Sequence, residues 1–104
     1  TDKGDIAETH ATAAAVSENV PISSLKSYLG HTLGACGSIE AWATINMMND
    51  NWYAPTINLD NIDPECGDLD YIMGHSVELN NQYVMSNNFA FGGINTSLIF
   101  KRWN

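Results

Sequence analysis

KSYLGHTLGACGSIEAW, residues Lys26 to Trp42, is the stretch whose reading decides the fold. It opens on a lysine in a chain that uses cations sparingly: Lys26 is the only Lys or Arg between Gly4 and Phe100. Gly30 and Gly34 permit a tight turn and close backbone approach. From Leu33 through Met48 the residues Leu33, Ala35, Cys36, Ile39, Ala41, Trp42, Ala43, Ile45, Met47 and Met48 leave hardly any polar face, which predicts a buried helix. Glu40 lies inside that run, and a buried carboxylate is costly unless paired or hydrogen-bonded. Lys26 is the obvious partner. His31 is expected at the helix N-terminus, where the dipole disfavours imidazolium and leaves a neutral ring able to donate one hydrogen bond. Such a donor suits a developing oxyanion. A capping histidine and a solvent-reaching glutamate would carry the same letters, so the cluster alone names no reaction.

The chain's bulk properties narrow the field. Its 104 residues make at most one domain with a modest core. A net charge of −8 and a pI near 4.4 argue against nucleic acid or an anionic membrane as partner. No apolar run approaches the roughly 20 residues of a membrane span, so a soluble, cytoplasmic protein is expected. Cys36 in the helix and Cys66 in a loop, without a CxxC, fit reduced thiols better than a disulfide or a zinc site. The chain opens on Thr1 without an initiator Met, as if cut from something longer.

Outward from the central stretch, Asp5 and Glu8 form an Asp-x-x-Glu pattern that predicts a capping box and a helix to about Val16. His10 reads as a solvated decoration of it. Ile22 to Leu25 is expected as a short buried strand delivering Lys26, and Asn49 to Asn51 as the stop of the central helix. Trp52 to Leu59 looks extended, Asp60 to Asp70 is a surface loop lacking the pattern of an EF-hand, and Leu69 to Met73 is another short strand. Gly74 to Asn81, with His75, reads as irregular. Tyr83 to Ser86 begins an extended stretch interrupted at Asn87. Ile94 to Trp103 resumes it with a period-two pattern, Ile94, Thr96, Leu98 and Phe100 facing one way, which predicts a hairpin. Its bend, Phe89-Ala90-Phe91-Gly92-Gly93, is equally a plain turn plugged by aromatics or a site loop.

Together these motifs resemble one family. Lys26-Ser27-Tyr28-Leu29-Gly30-His31 resembles the KSxxGH motif of the decarboxylating β-ketoacyl-acyl carrier protein synthases, and SNNFAFGGIN (Ser86 to Asn95) resembles that family's SNSFGFGGTN. The intervening APTINLDNIDPECGDLDYI is similar to PPTLNLDNPDPxCDLDYV, and TDKGDIAET resembles the continuation of HGTxTxxxDxxE.

The resemblance implies an α/β fold, the C-terminal portion of a thiolase-like layered α/β/α/β/α architecture, with residues 1–104 a single piece without internal boundary. It implies a decarboxylative Claisen condensation of malonyl-acyl carrier protein with an acyl group held on an enzyme cysteine, in fatty acid, polyene or polyketide assembly. His31 then matches the second catalytic histidine, Lys26 the motif lysine, Glu40 the glutamate organising the site through it, and Phe91 the gate of the acyl channel. Thr1 matches a threonine holding the pantetheine arm, while Phe89, Gly92, Gly93 and Asn95 shape the substrate loop. Glu40, Ser86 and Asn87 match residues around a monovalent cation of some relatives; no other cofactor is implied. The nucleophilic cysteine is in neither Cys36 nor Cys66, and the first histidine is expected four residues before Thr1, so an isolated fragment is expected to be inactive. Ala90 and Ile94 depart from the family's glycine and threonine. The implied partners are acyl carrier protein, the remainder of the ketosynthase chain, and a second subunit in a homodimer or heterodimer. The rival reading is a non-catalytic chain-length-factor subunit of a ketosynthase heterodimer.

Overall fold

The computed structural model describes all residues from Thr1 to Asn104. Helix α1 runs Asp2–Ala15 and is capped by Thr1, whose hydroxyl oxygen accepts from the Gly4 N–H at 3.1 Å. The helix thus begins three residues before the expected Asp5 box. A β-carbon at Gly4 would lie 2.7 Å from the Thr1 hydroxyl, so a larger residue there would require the capping side chain to shift. Strand β1, Pro21–Ile22, is followed by the single turn α2, Lys26–Leu29; the strand forecast to reach Leu25 stops at Ile22. A 3₁₀ turn at Leu33–Ala35 leads into α3, Cys36–Asp50, which ends on Asn51 in the left-handed conformation.

Six strands form three separate two-stranded ladders. β1 pairs in parallel with β3, Asp70–Tyr71, with Pro21 opposite Asp70. β2, Trp52–Tyr53, pairs antiparallel with β4, Val77–Glu78, so the 74–81 segment expected to be irregular contributes a strand. The extended run forecast from Trp52 to Leu59 is only β2 plus a parallel bridge from Thr56 to Met73. The hairpin joins β5, Tyr83–Phe89, to β6, Asn95–Lys101, with Phe89 opposite Asn95. Its first strand is therefore uninterrupted through Asn87 and Asn88.

The acidic loop is tied back to α1. The Gly67 N–H donates to the buried Thr9 hydroxyl at 2.8 Å, and a β-carbon at Gly67 would meet the Thr9 backbone at 3.0 Å. His10, expected to be solvated decoration, bonds through Nε2 to the Glu65 carbonyl at 2.9 Å. Helix α3 packs against β5, where Gly37 faces the Asn88 amide. Both cysteines are free thiols.

The core is small: Cys36, Met48, Tyr53, Ala54, Leu69 and Ile72 are its buried apolar residues. The apolar helix forecast as buried is only partly so, for within α3 just Cys36 and Met48 are buried and Trp42 is 69 % exposed. Leu98 and Ile99, which point to opposite faces of the hairpin, are both exposed, so the period-two pattern does not resolve into one covered face. The reason is geometric. Within these residues α3 packs chiefly on β5, with smaller contacts to the short β2 and the preceding 3₁₀ turn, and no further layer lies over the helix or the hairpin. No helix is long and apolar enough to cross a membrane.

Arg102 fastens the end of the hairpin to the end of α3. Its guanidinium donates to the carbonyl of Met48, to Asn51 Oδ1 at 2.8 Å and to the Asn81 carbonyl at 3.2 Å. Arg102→Ala should destabilise the protein by about 1–3 kcal/mol in chemical denaturation, because three acceptors lose a charged donor. Lys101→Ala, removing an exposed ammonium 5.9 Å from the Tyr83 ring, should leave the midpoint nearly unchanged; equal effects from the two variants would contradict this role for Arg102.

Candidate active site

Serines and backbone fix the position of Lys26. Ser24 Oγ accepts from the Lys26 N–H at 3.3 Å, and Ser27 Oγ donates to the Ser24 carbonyl at 3.1 Å. Two further bonds lock this turn to the chain after β2: Ser24 N–H to Thr56 Oγ1 at 2.8 Å and Ile57 N–H to Ser27 Oγ at 3.1 Å. Gly30, at φ 72°, closes α2 by donating to the Lys26 carbonyl at 2.8 Å.

From that platform the Lys26 ammonium reaches across to α3 and pairs with Glu40 Oε1. The Glu40 side chain is only 13 % exposed, Lys26 36 %. Burial pulls the lysine down, but the hydrogen bond and charge of Glu40 outweigh it and hold the ammonium above its ordinary value of 10.5. The pairing expected from sequence is therefore formed. Cys36 adds a second donor to the same oxygen, its Sγ lying 3.3 Å from Glu40 Oε1. Glu8 on α1 lies near enough to feel the charges of Lys26 and Glu40. Burial raises its carboxyl above the usual range, with repulsion from Asp5 and Glu40 adding to the shift and Lys26 opposing it. Sequence reasoning missed Glu8 because its spacing from Asp5 reads as a local cap.

His31 stands in the loop between α2 and the 3₁₀ turn, five residues before α3 begins, and not at the helix N-terminus. What orients its ring is a backbone amide: the Leu33 N–H donates to Nδ1 at 3.0 Å, which assigns the proton of the neutral ring to Nε2. Leu33 achieves this at φ 53°, a left-handed conformation that costs a residue with a β-carbon about 1 kcal/mol or more. The ring is exposed, yet it faces Phe91 with centroids 6.5 Å apart and planes 15° from parallel. The Gly-His stretch and the double-glycine bend, some 60 residues apart in sequence, thus meet.

Phe91 itself is 94 % exposed at the hairpin tip. The turn is closed by Ala90 N–H to the Ile94 carbonyl at 3.1 Å and Gly93 N–H to the Ala90 carbonyl at 2.9 Å, with Gly93 at φ 81°. Gly92 lies between, and Phe89 and Asn95 form the last rung below. Thr1 is elsewhere, capping α1. Of the oxygens matched to a cation site, Glu40 Oε1 is taken by Lys26 and Cys36, and Asn87 Oδ1 accepts from Ser97 Oγ at 2.6 Å. No group of three or more His, Cys, Asp or Glu side chains is placed to hold a metal.

Known proteins share this fold. A β-ketoacyl synthase crystal structure from Burkholderia phymatum superposes with a TM-score of 0.97 at 65 % identity, covering all of this chain and 26 % of that one. The ishigamide ketosynthase/chain length factor superposes at 0.91 with 31 % identity, again over the whole chain and 26 % of its counterpart. The fold is thus that of the ketosynthases, within the thiolase-like class. Residues 1–60 match the family described as beta-ketoacyl synthase, C-terminal domain, and the chain belongs to it. Among curated relatives, 3-oxoacyl-[acyl-carrier-protein] synthase 2 of Synechocystis is 45 % identical over 99 % of the chain and 25 % of its own length. Synthase 1 of Haemophilus influenzae is 40 % identical over 100 % and 26 %. The chain spans about a quarter of the length of the relatives it matches.

If Lys26 and Glu40 act as a unit, Lys26→Met and Glu40→Gln should be non-additive in a stability cycle, with a coupling of roughly 1 kcal/mol. The sign with pH follows from the raised lysine: the coupling is fully present below the ordinary lysine range and fades as pH climbs through the raised value. Additive losses, or a coupling unaltered at high pH, would contradict the pairing.

Proposed function

We propose that the protein carrying this chain is a β-ketoacyl-acyl carrier protein synthase, an acyltransferase that condenses malonyl-carrier thioester with an acyl group on an enzyme cysteine. The observation that carries the reading is the meeting of His31, its proton directed to Nε2 by the Leu33 amide, with Phe91 beside the paired glycines. The names and identities of the relatives support the same activity.

In this mechanism the malonyl group loses carbon dioxide, and the electron pair of the broken bond moves onto the thioester as an enolate. His31 donates from Nε2 to the oxygen where that charge gathers; a preorganised donor strengthens as the charge develops. The enolate carbon then attacks the acyl thioester, a new carbon–carbon bond forms, and the cysteine leaves as thiolate. Lys26 and Glu40 hold the loop that presents His31. The Phe91 N–H serves the oxyanion of the condensation step, and its ring gates the acyl channel. Thr1 steadies the pantetheine arm, and Phe89, Gly92, Gly93 and Asn95 shape the loop around it. The nucleophilic cysteine and the first histidine come from the rest of the protein, of which residues 1–104 form one undivided C-terminal piece. The rest of that protein, and a like or related subunit, cover the exposed face of α3 and the hairpin, as so large an apolar surface requires. Acyl carrier protein is the substrate-bearing partner. The chain-length-factor reading is weaker, since identity to the β-ketoacyl synthase structure is twice that to the ketosynthase/chain length factor.

His31→Ala in the full-length protein should lower malonyl decarboxylation about 10²–10³-fold while acyl loading of the cysteine persists. Normal decarboxylation in that variant would refute the assignment. Ala90→Gly should loosen the turn closed by the Ala90 and Gly93 hydrogen bonds and shift the distribution of acyl chain lengths accepted. Identical kcat/KM across a series of acyl chains would remove the gate from the account.

A further inference from the structure

Glu40 takes its second donor from Cys36. Cys36 is the first residue of α3 and 4 % exposed, and the helical repeat sets it on the same face as Glu40, four residues on. Its S–H points at Oε1, the oxygen that also receives the Lys26 ammonium. A thiol is a weak donor, but an ionised acceptor strengthens the bond. The pocket beside these side chains has only about 10 Å³ of free space with the sulfur in place, the lower limit for a single water, so the thiol itself supplies the second donor to Oε1. From α3, Glu40 and Cys36 both face the Lys26 side chain of α2, and Glu8 stands nearby on α1.

We infer that Cys36 is a positioning residue: by donating to Glu40 Oε1 it fixes the rotation of the carboxylate, and through it the place of the Lys26 ammonium. This rests on the proposed synthase reading only for its effect on turnover. Loss of the donor frees the carboxylate to swing, so the lysine is held less firmly; serine restores a donor on the same carbon, whereas alanine cannot.

The test compares Cys36→Ala and Cys36→Ser with wild type in the full-length protein by two readouts. The first is the pH dependence of Lys26 acetylation by acetic anhydride, followed by peptide mass spectrometry. The second is kcat and KM for malonyl-acyl carrier protein decarboxylation. In Cys36→Ala the Lys26 titration should move to lower pH and kcat should fall about fivefold with KM retained. Cys36→Ser should return both toward wild type. A Lys26 titration unchanged by alanine would overturn the inference, as would a serine variant that behaves like alanine, which would mean the sulfur only fills space. Should the wild-type protein fail to decarboxylate at all, the synthase reading falls while the labelling curves still decide the part played by Cys36.

Discussion

An ammonium on one short helical turn bonded to a carboxylate on the next helix is the interaction on which this structure depends. Lys26 belongs to α2, a single turn too short to hold itself in place, and Glu40 to α3, the longest helix of the chain. The pair spans the loop that contains His31, so whatever holds Lys26 against Glu40 also holds the ends of that loop. Two sets of supports reinforce it. Ser24, Ser27, Thr56 and Ile57 anchor the lysine's turn from one side, and Cys36 braces the carboxylate from the other.

The charge economy of the sequence makes sense in this light. A chain with 4 cations and 12 carboxylates places one cation where three acidic side chains approach one another, at Glu8, Glu40 and, through Glu8, Asp5. Without Lys26, two of those carboxylates would sit partly buried with repulsion and no compensation. Arg102 does the corresponding work at the opposite end of α3, where it ties the Met48 carbonyl and the Asn51 side chain to the Asn81 carbonyl of the loop before β5. The helix is thus held near its start by Lys26 and at its end by Arg102.

Much of this was legible in the letters. The Lys26–Glu40 pair follows from one lysine and one glutamate in an apolar setting, and the hairpin from the alternation after Ile94. What was not legible has physical reasons. The cap of α1 lies at Thr1 because its hydroxyl reaches the Gly4 N–H, a contact as plausible in sequence as the Asp5 box. β4 pairs with β2 across some 25 residues, and two-residue strands leave no period to read. The exposed faces of α3 and of β6 carry core-type sequences without a covering layer in the chain, so pattern alone overstated their burial. The orientation of His31 escaped in a different way. A left-handed leucine is not written in any propensity, and it is the Leu33 amide, not the helix dipole, that sets the ring.

The central claim is that the neutral His31 ring, beside Phe91, carries its proton on Nε2 and is held in place by the Leu33 amide. Neutron diffraction from crystals of the full-length protein reads that proton directly. The account requires nuclear density on Nε2 and none on Nδ1, with the Leu33 deuteron on the line to Nδ1. Density on Nδ1 with a bare Nε2, or a Leu33 amide turned away from the ring, would contradict it.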